Sequence, residues 1–198
     1  SPGIALLTGL VFALVAGHPF PALSKKTSKY LLQFSVVGLG FGMNLQEALH
    51  TGTQGLFFTI ASVILVMLSG IWLGRRMRID KKTAYLISAG TAICGGSAIA
   101  AIAPVVKAND NEISVSMGTI FILNAIALFL FPPIGHILGL SQEQFGMWAA
   151  IAIHDTSSVV GAGAEYGNTA CEIATMVKLT RALWIIPLAI VTTWVFKQ

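Results

Sequence analysis

Charged residues are scarce in this sequence. Of its 198 residues, 12 are Lys or Arg and 8 are Asp or Glu, while 55% are hydrophobic and the mean hydropathy is +0.80. Soluble domains carry roughly 25% charged residues. The composition therefore excludes an ordinary soluble domain and predicts a chain that lies largely within a lipid bilayer.

Cysteine and catalytic motifs are equally scarce. Cys94 and Cys171 lie far apart without metal-ligand spacing, so we expect two free thiols. The sequence has no HExxH, GxSxG or phosphate-binding loop. His154-Asp155 resembles the metal-binding pair of phosphohydrolases, but that chemistry needs further ligands on neighbouring helices, and the other histidines lie in loops or at segment ends. We therefore expect no enzyme, no metal and no other cofactor.

The first apolar stretch lacks the marks of a signal peptide. No basic residues precede residues 3–16, and no small-residue cleavage site follows them. These 14 residues would cover only about 21 Å as a helix. We expect a first transmembrane helix of which a part is missing.

Uncharged runs of bilayer length recur along the chain, and about 20 apolar residues span a membrane. We expect an all-α fold, a polytopic transmembrane helix bundle of six to eight hydrophobic segments. Segment E ends at Pro132-Pro133, and segment F contains a single charged residue, Asp155. The segments are A (3–16), B (30–45), C (56–73), D (83–106), E (113–131), F (144–164) and G (179–196).

The basic residues predict orientation rather than nucleic-acid binding. Eight of the 12 fall in the A–B and C–D loops, whereas the B–C loop has only Glu47 and His50 as titratable residues. Positively charged loops stay in the cytoplasm, so we place A–B and C–D there and B–C outside. Beyond segment D the charge signal fades, and charge leaves open whether D and F cross the membrane or re-enter it.

Segment F has a carboxylate at its centre. Asp155 lies near the middle of residues 144–164, within the polar run His154-Asp155-Thr156-Ser157-Ser158. Intramembrane carboxylates are costly and usually mark a substrate or ion pathway. Two interpretations stay open: Asp155 couples transport to a proton or ion, or it caps a helix that restarts there.

Segment D has an interruption at the equivalent place. Gly95-Gly96 is central in an uncharged run of 24 residues, and two glycines cost about 2 kcal/mol of helix propensity. An offset of 60 residues aligns D with F, with six identities in 25 positions, and places Cys94-Gly95-Gly96-Ser97 opposite His154-Asp155-Thr156-Ser157. Paired interruptions point to a transporter site. We predict two interrupted helices, broken or re-entrant; for the glycines, the alternative is close packing of intact helices.

Lys178 and Arg181 share one helix face at the start of segment G. They either snorkel outward or face a cavity. We expect Asn44 and Asn124 to form hydrogen bonds between helices. The candidate site comprises Cys94, Gly95, Gly96, Ser97, His154, Asp155, Thr156, Ser157, Ser158, Lys178 and Arg181.

Three motifs resemble those of the YeiH-type sulfate-exporter family of bacterial inner-membrane proteins. They are Ala-Gly-Thr-Ala-Ile-Cys-Gly-Gly-Ser-Ala at 89–98, continued by 104–108; His154-Asp155 with 159–163; and Lys178-x-x-Arg181. The resemblance implies a multi-pass inner-membrane transporter of sulfate or organosulfonates. It also implies distant similarity to the bile-acid symporter and sodium/proton antiporter folds, with their crossed, broken helices. Members of that family continue with more hydrophobic segments, so we expect residues 1–198 to form one transmembrane domain without those C-terminal helices.

The expected function is secondary transport of a small anion. The N–H groups of Gly95, Gly96 and Ser97 and the hydroxyls of residues 156–158 would be neutral donors, and Lys178 and Arg181 would supply charge. Asp155 would then be protonated, bound to a cation or paired with a basic residue. The alternatives are a cation/proton exchanger with Asp155 as ion ligand and a structural membrane subunit. The expected partners are the lipid bilayer and the anion, not nucleic acid; a coupling proton or sodium ion and a homo-oligomer stay open.

Overall fold

The computed structural model describes residues 45–196 except residue 183, with a few isolated positions before residue 45; continuous side-chain description starts at residue 59. Segment A, most of segment B and Asn44 therefore lie outside the continuously described residues. The described chain is helical between its turns, which confirms the all-α class. The helices are α1 (Leu45–Arg76), α2 (Lys81–Ala92), α3 (Gly96–Ile102), α4 (Asp110–Ile137), α5 (Gln142–Ala152), α6 (Thr156–Tyr166), α7 (Asn168–Ala182) and α8 (Ile185–Val195).

Three stretches of the described chain are long and apolar enough to cross a membrane: Thr59–Arg76, Asp110–Ile137 and Asn168–Val195, the last covering α7 and α8. Large apolar side chains on them are exposed, among them Trp72, Ile122 and Trp194. An apolar surface of this kind suits lipid rather than water. The prediction of a membrane protein is confirmed.

The structure corrects two segment boundaries. Helix α4 continues through Pro132 and Pro133 to Ile137 instead of ending before them. Prolines are tolerated in transmembrane helices whose surroundings support the backbone, and here Gly135 packs directly against the rings of Phe145 and Tyr166. The third apolar stretch begins at Asn168, not at residue 179, because Lys178 and Arg181 are buried inside it and do not end it.

Helices α2 and α3 form a hairpin, which we call hairpin 1 (residues 81–107). The two helices pack together, and the Lys82 ammonium at the start of α2 donates to the carbonyl oxygen of Lys107 at 2.7 Å. The chain therefore returns to the side from which it entered.

Helices α5 and α6 form hairpin 2 (residues 140–167) in the same way. The Tyr166 hydroxyl at its end donates to the Leu140 carbonyl at its start, at 2.5 Å. The Gln142 side chain accepts the backbone N–H of Thr169 at 3.0 Å, just after the hairpin. The chain therefore reverses direction within each of segments D and F; whether they re-enter a membrane from one side stays a prediction.

The hairpins enter from opposite ends of α4 and meet at their tips. Helix α4 has 28 residues, about 42 Å of helix, and it connects the base of hairpin 1 to the base of hairpin 2. A Cβ added to Gly95 would lie 3.2 Å from the Asp155 Cβ and 3.4 Å from the His154 carbonyl oxygen. We call this meeting point of residues 93–95 and 153–155 the crossing; its depth in a membrane stays a prediction.

Candidate functional site

The tip of hairpin 1 depends on one of its two glycines. Helix α2 ends at Ala92 and α3 begins at Gly96. Gly95, between them, has φ +69°, a conformation that costs other residues energy because of their Cβ atom. Gly96 is helical, and a Cβ there would meet Phe121 at an ordinary 3.4 Å. Cys94 is buried beside them, and both cysteines are free thiols, as predicted.

The tip of hairpin 2 is organised by Asp155. Helix α5 ends at Ala152 and α6 begins at Thr156, 60 residues after the equivalent ends of α2 and α3. Asp155 Oδ1 accepts the backbone N–H groups of Ser157 at 2.7 Å and Ser158 at 3.1 Å. The two serine hydroxyls also donate to this carboxylate. Asp155 therefore has the geometry of the helix-capping alternative, and its charge is favourable at a helix N-terminus.

Lys178 binds at a helix C-terminus, whereas Asp155 lies at a helix N-terminus. Its side chain is 0% exposed, and Nζ donates to the carbonyl oxygens of Ile153 at 2.6 Å and Ala150 at 3.3 Å. The last carbonyls of a helix have no partner within the helix, and a cation is favourable there. Lys178 thus caps the C-terminus of α5.

Arg181 joins the two hairpins. It is also 0% exposed. One terminal nitrogen donates to the carbonyls of Ala150 at 3.1 Å and Ile151 at 2.9 Å, and the other donates to the Ala92 carbonyl at 2.5 Å. One guanidinium therefore holds the C-termini of α2 and α5 together. The burial of both cations agrees with the interior alternative and not with outward snorkelling.

Asn124 of α4 connects a third element to the crossing. It is 2% exposed, and its side-chain oxygen accepts the His154 N–H at 2.9 Å, so its partner is the non-helical tip of hairpin 2 and not another helix. Three buried polar atoms in the described residues have no hydrogen-bond partner: Asn124 Nδ2, His154 Nδ1 and Arg181 Nε. The amide nitrogen and the guanidinium nitrogen are donors only. We call them the orphan donors.

Of the predicted site residues, Cys94, Gly95, His154 and Asp155 form part of the crossing, and Lys178 and Arg181 bind to its helix ends. Ser157 and Ser158 donate to Asp155, and Gly96 and Thr156 begin the helices that follow the two tips. Ser97, the equivalent of Ser157 at the offset of 60, is exposed. Sequence reasoning assigned no ligand role to Asn124; its position as the one amide within segment E was the available signal.

Among the described residues, side chains do not balance the charge at the crossing. Lys178 and Arg181 supply two formal positive charges, and Asp155 supplies one negative charge, which is hydrogen-bonded within α6. In the part of the chain that the structure describes, the partners of the two cations are backbone carbonyls. Carbonyl dipoles lower the cost of burying a cation but carry no net charge, so the crossing has a formal excess of one positive charge.

Comparison with known proteins gives one family. The family described as conserved hypothetical protein 698 matches residues 1–198. Proteins named UPF0324 membrane protein are similar to all of this chain: that of Bacteroides thetaiotaomicron is 64% identical over 199 residues and that of Porphyromonas gingivalis 59% over 198 residues. The Photobacterium profundum protein is 48% identical over 197 residues. The chain spans 60% of the length of each of these relatives. No solved structure matches it.

Proposed function

Because the chain belongs to the family described as conserved hypothetical protein 698, with relatives named as membrane proteins, we propose that it forms the binding core of a secondary transporter for a small anion. The transporter would be a multi-pass protein of the bacterial inner membrane. The resemblance of residues 89–98 to sulfate exporters favours sulfate or an organosulfonate as substrate.

The observation that carries this proposal is the unbalanced positive charge at the crossing together with the orphan donors. A buried donor without an acceptor costs about 1–3 kcal/mol. Arg181 Nε and Asn124 Nδ2 are such donors, and both belong to residues that contact the tip of hairpin 2. An oxyanion would supply acceptor oxygens to these donors and negative charge to the two cations.

The arrangement of the hairpins favours transport over static binding. Transporter sites are commonly formed where interrupted helices of two related units meet. Here the two tips approach from opposite ends of α4 and touch at Gly95 and Asp155. A small shift of either hairpin would open the crossing towards its own side, which is the requirement for alternating access.

The test is flux of labelled sulfate, and separately of an organosulfonate, into liposomes that contain the full-length protein. Arg181→Gln removes the charge and the bridge, and Lys178→Gln removes the second cation. Losing a hydrogen bond to a charged group costs about 1.5–3 kcal/mol. Each variant should therefore bind the anion at least about tenfold more weakly, and its flux should fall accordingly.

Lys82→Gln is the matched control, because Lys82 is a basic residue at the base of hairpin 1, away from the crossing. It should retain flux. Size-exclusion profiles would establish that each variant is folded. Sulfate and sulfonate flux that is unaffected when both Lys178 and Arg181 are replaced would reject the anion transporter.

Cation/proton exchange is the second candidate, supported by one observation: the partly exposed Asp155 carboxylate lies at the tip of a hairpin. A pH-sensitive dye inside the liposomes, with an imposed sodium gradient, measures this activity directly. Sodium-dependent pH change without anion flux would favour the exchanger. The absence of both in a folded protein would favour a structural membrane subunit.

A further inference from the structure

A groove lies on the surface between α1 and α2 and runs along α2 as far as Thr91, one residue before the end of that helix. Its volume is about 360 Å³, and its apolar wall includes Val66, Leu73, Met77, Ile79 and Ile87. The two helices are in close contact beside it, since a Cβ on Gly74 would lie 2.5 Å from the Ala84 Cβ. The groove is therefore a fixed depression between two tightly packed helices.

The serines that line the groove add little polarity. The Ser69 hydroxyl donates to the Val66 carbonyl at 3.2 Å, and the Ser88 hydroxyl donates to the Ala84 carbonyl at 2.6 Å. Both hydrogens are directed to the backbone of their own helix, so neither is left to donate into the groove. A wall of this kind suits a hydrocarbon chain.

The length of the groove corresponds to one leaflet of a bilayer. Val66 and Met77 mark its extent along α1, and a helical separation of 11 residues corresponds to about 16 Å. The hydrocarbon core of a bilayer is about 30 Å thick. The groove therefore extends from the C-terminal end of α1 to about the middle of a membrane.

Three arginines lie close in sequence to Met77 and Ile79, which line one end of the groove: two in the last turn of α1 and one in the turn that follows it. Arg75, Arg76 and Arg78 are exposed, and the described residues offer no hydrogen-bond or ion-pair partner to their side chains. Arg78 lies between Met77 and Ile79, two of the lining residues. The nearby lysines are engaged: Lys81 lies over the Phe196 ring at 5.1 Å, and Lys82 binds the Lys107 carbonyl.

We propose that this groove binds an anionic phospholipid, with one acyl chain between α1 and α2 and the phosphate at Arg75, Arg76 and Arg78. Guanidinium groups bind phosphate through paired N–H donors, and basic clusters at the cytoplasmic ends of transmembrane helices attract anionic lipids. The charge and the apolar wall together require a ligand with both a negative headgroup and a hydrocarbon chain. Two other occupants fit less well. A second protein chain would have to bury the three arginines, and free phosphate would leave the apolar wall of the groove exposed.

The test is lipid titration of the purified protein in detergent, read by native mass spectrometry and by the melting temperature. Phosphatidylglycerol should bind and raise the melting temperature, whereas phosphatidylcholine with the same acyl chains should bind much less. Replacing all three arginines by glutamine should weaken phosphatidylglycerol binding on the order of 100-fold, from the typical contribution of basic residues near anionic lipid. Lys107→Gln, which removes an exposed charge outside the cluster, should leave binding unchanged.

A second pair of variants tests the groove independently of charge. Ser69→Trp fills the groove and should abolish phosphatidylglycerol binding. Leu65→Trp changes an exposed apolar residue of the same helix outside the groove and should bind as the unmodified protein does. Equal binding of the two lipids, unchanged binding by Ser69→Trp, or stabilisation by inorganic phosphate equal to that by the lipid would each overturn the proposal.

Discussion

At the residue scale, the crossing depends on a side chain whose hydrogen-bond partners, within the described residues, are all backbone atoms. Arg181 binds carbonyls of Ala92, Ala150 and Ile151, and its planar fork reaches both hairpins at once. A lysine carries the same charge on a single nitrogen and cannot reproduce that geometry. The identity of residue 181, and not only its charge, therefore determines how the hairpin tips are held.

Gly95 should be the more sensitive of the two adjacent glycines. Gly95→Ala places a Cβ at φ +69° and 3.2 Å from the Asp155 Cβ, and the left-handed conformation alone costs about 1–2 kcal/mol. We expect a lower melting temperature in detergent. Gly96→Ala is the control: Gly96 is the first residue of α3 and a Cβ there meets only an ordinary contact, so its melting temperature should be unchanged or slightly raised. Equal losses in both variants would contradict the conformational argument.

Two substitutions of Asp155 distinguish a helix-capping role from a role in ion coupling. Asparagine caps a helix about as well as aspartate, whereas alanine costs about 0.5–2 kcal/mol. Asp155→Asn should therefore keep its melting temperature, and Asp155→Ala should lose stability. If Asp155 also couples transport to a proton, the Asn variant should bind the anion yet lose the pH dependence of flux. An unaltered pH profile for Asp155→Asn would leave Asp155 with the capping role alone.

At the scale of elements, one capping box lies just after hairpin 1 and another lies at the start of hairpin 2. Asn109 and Glu112 form a reciprocal capping box at the start of α4, and Ser141 and Gln144 form another at the start of α5. Such boxes satisfy N–H groups that the first turn leaves without partners. The turns at the hairpin bases are therefore specified by short local sequences.

Asp80 should stabilise α2 in a manner that depends on pH. The backbone N–H of Thr83, helped by that of Lys82, holds the pKa of Asp80 below its ordinary value of 3.8, against a smaller opposing effect of burial. A lowered folded-state pKa means that the stabilisation is present above pH 3.8 and is lost as the pH falls through the lowered value.

We expect Asp80→Ala to cost about 1 kcal/mol at neutral pH, with the difference from the unmodified protein shrinking below pH 3.8. Asp80→Asn, which keeps an acceptor without the charge, should retain most of the stability. Melting temperatures across pH provide the measurement. A constant difference between the Ala variant and the unmodified protein at every pH would show that the carboxylate charge contributes nothing.

At the scale of the molecule, the described chain contains one pattern twice: a hairpin, then a long apolar stretch. Hairpin 1 precedes α4, and hairpin 2 precedes α7 and α8. Since α4 separates the hairpin bases, the second unit is inverted relative to the first. Inverted repeats around a central site are a frequent architecture of secondary transporters.

This arrangement predicts which loops share a side of the membrane. In a background in which Cys94 and Cys171 are replaced by alanine, Ile79→Cys and Asn111→Cys should react with an impermeant thiol reagent from one side. Leu138→Cys and Glu165→Cys should react only from the other side. The cluster of arginines at residues 75–78 predicts that the first side is cytoplasmic. Labelling of Asn111→Cys and Leu138→Cys from the same side would refute the inverted hairpins.

The sequence by itself determined the membrane class, the free thiols and the equivalence of the two units. These properties are encoded locally. A scarcity of charge excludes a soluble core, and adjacent glycines or a central carboxylate disfavour a continuous apolar helix. The offset of 60 residues also relates the observed helix ends, Ala92 to Ala152 and Gly96 to Thr156.

Only the tertiary structure decided that segments D and F turn back, that their tips meet, and that Lys178 and Arg181 lie inside the third apolar stretch. Every residue has a carbonyl oxygen, so no pattern of side chains reveals that those of Ala92 and Ala150 are the partners of Arg181. The reversal of the chain is likewise invisible, because a 24-residue uncharged run has the same composition whether it continues in one direction or returns. The direction of each hairpin depends on its packing against α4 and α7. This packing places both ends of a hairpin on one side, and it brings the buried cations to the helix ends that they cap.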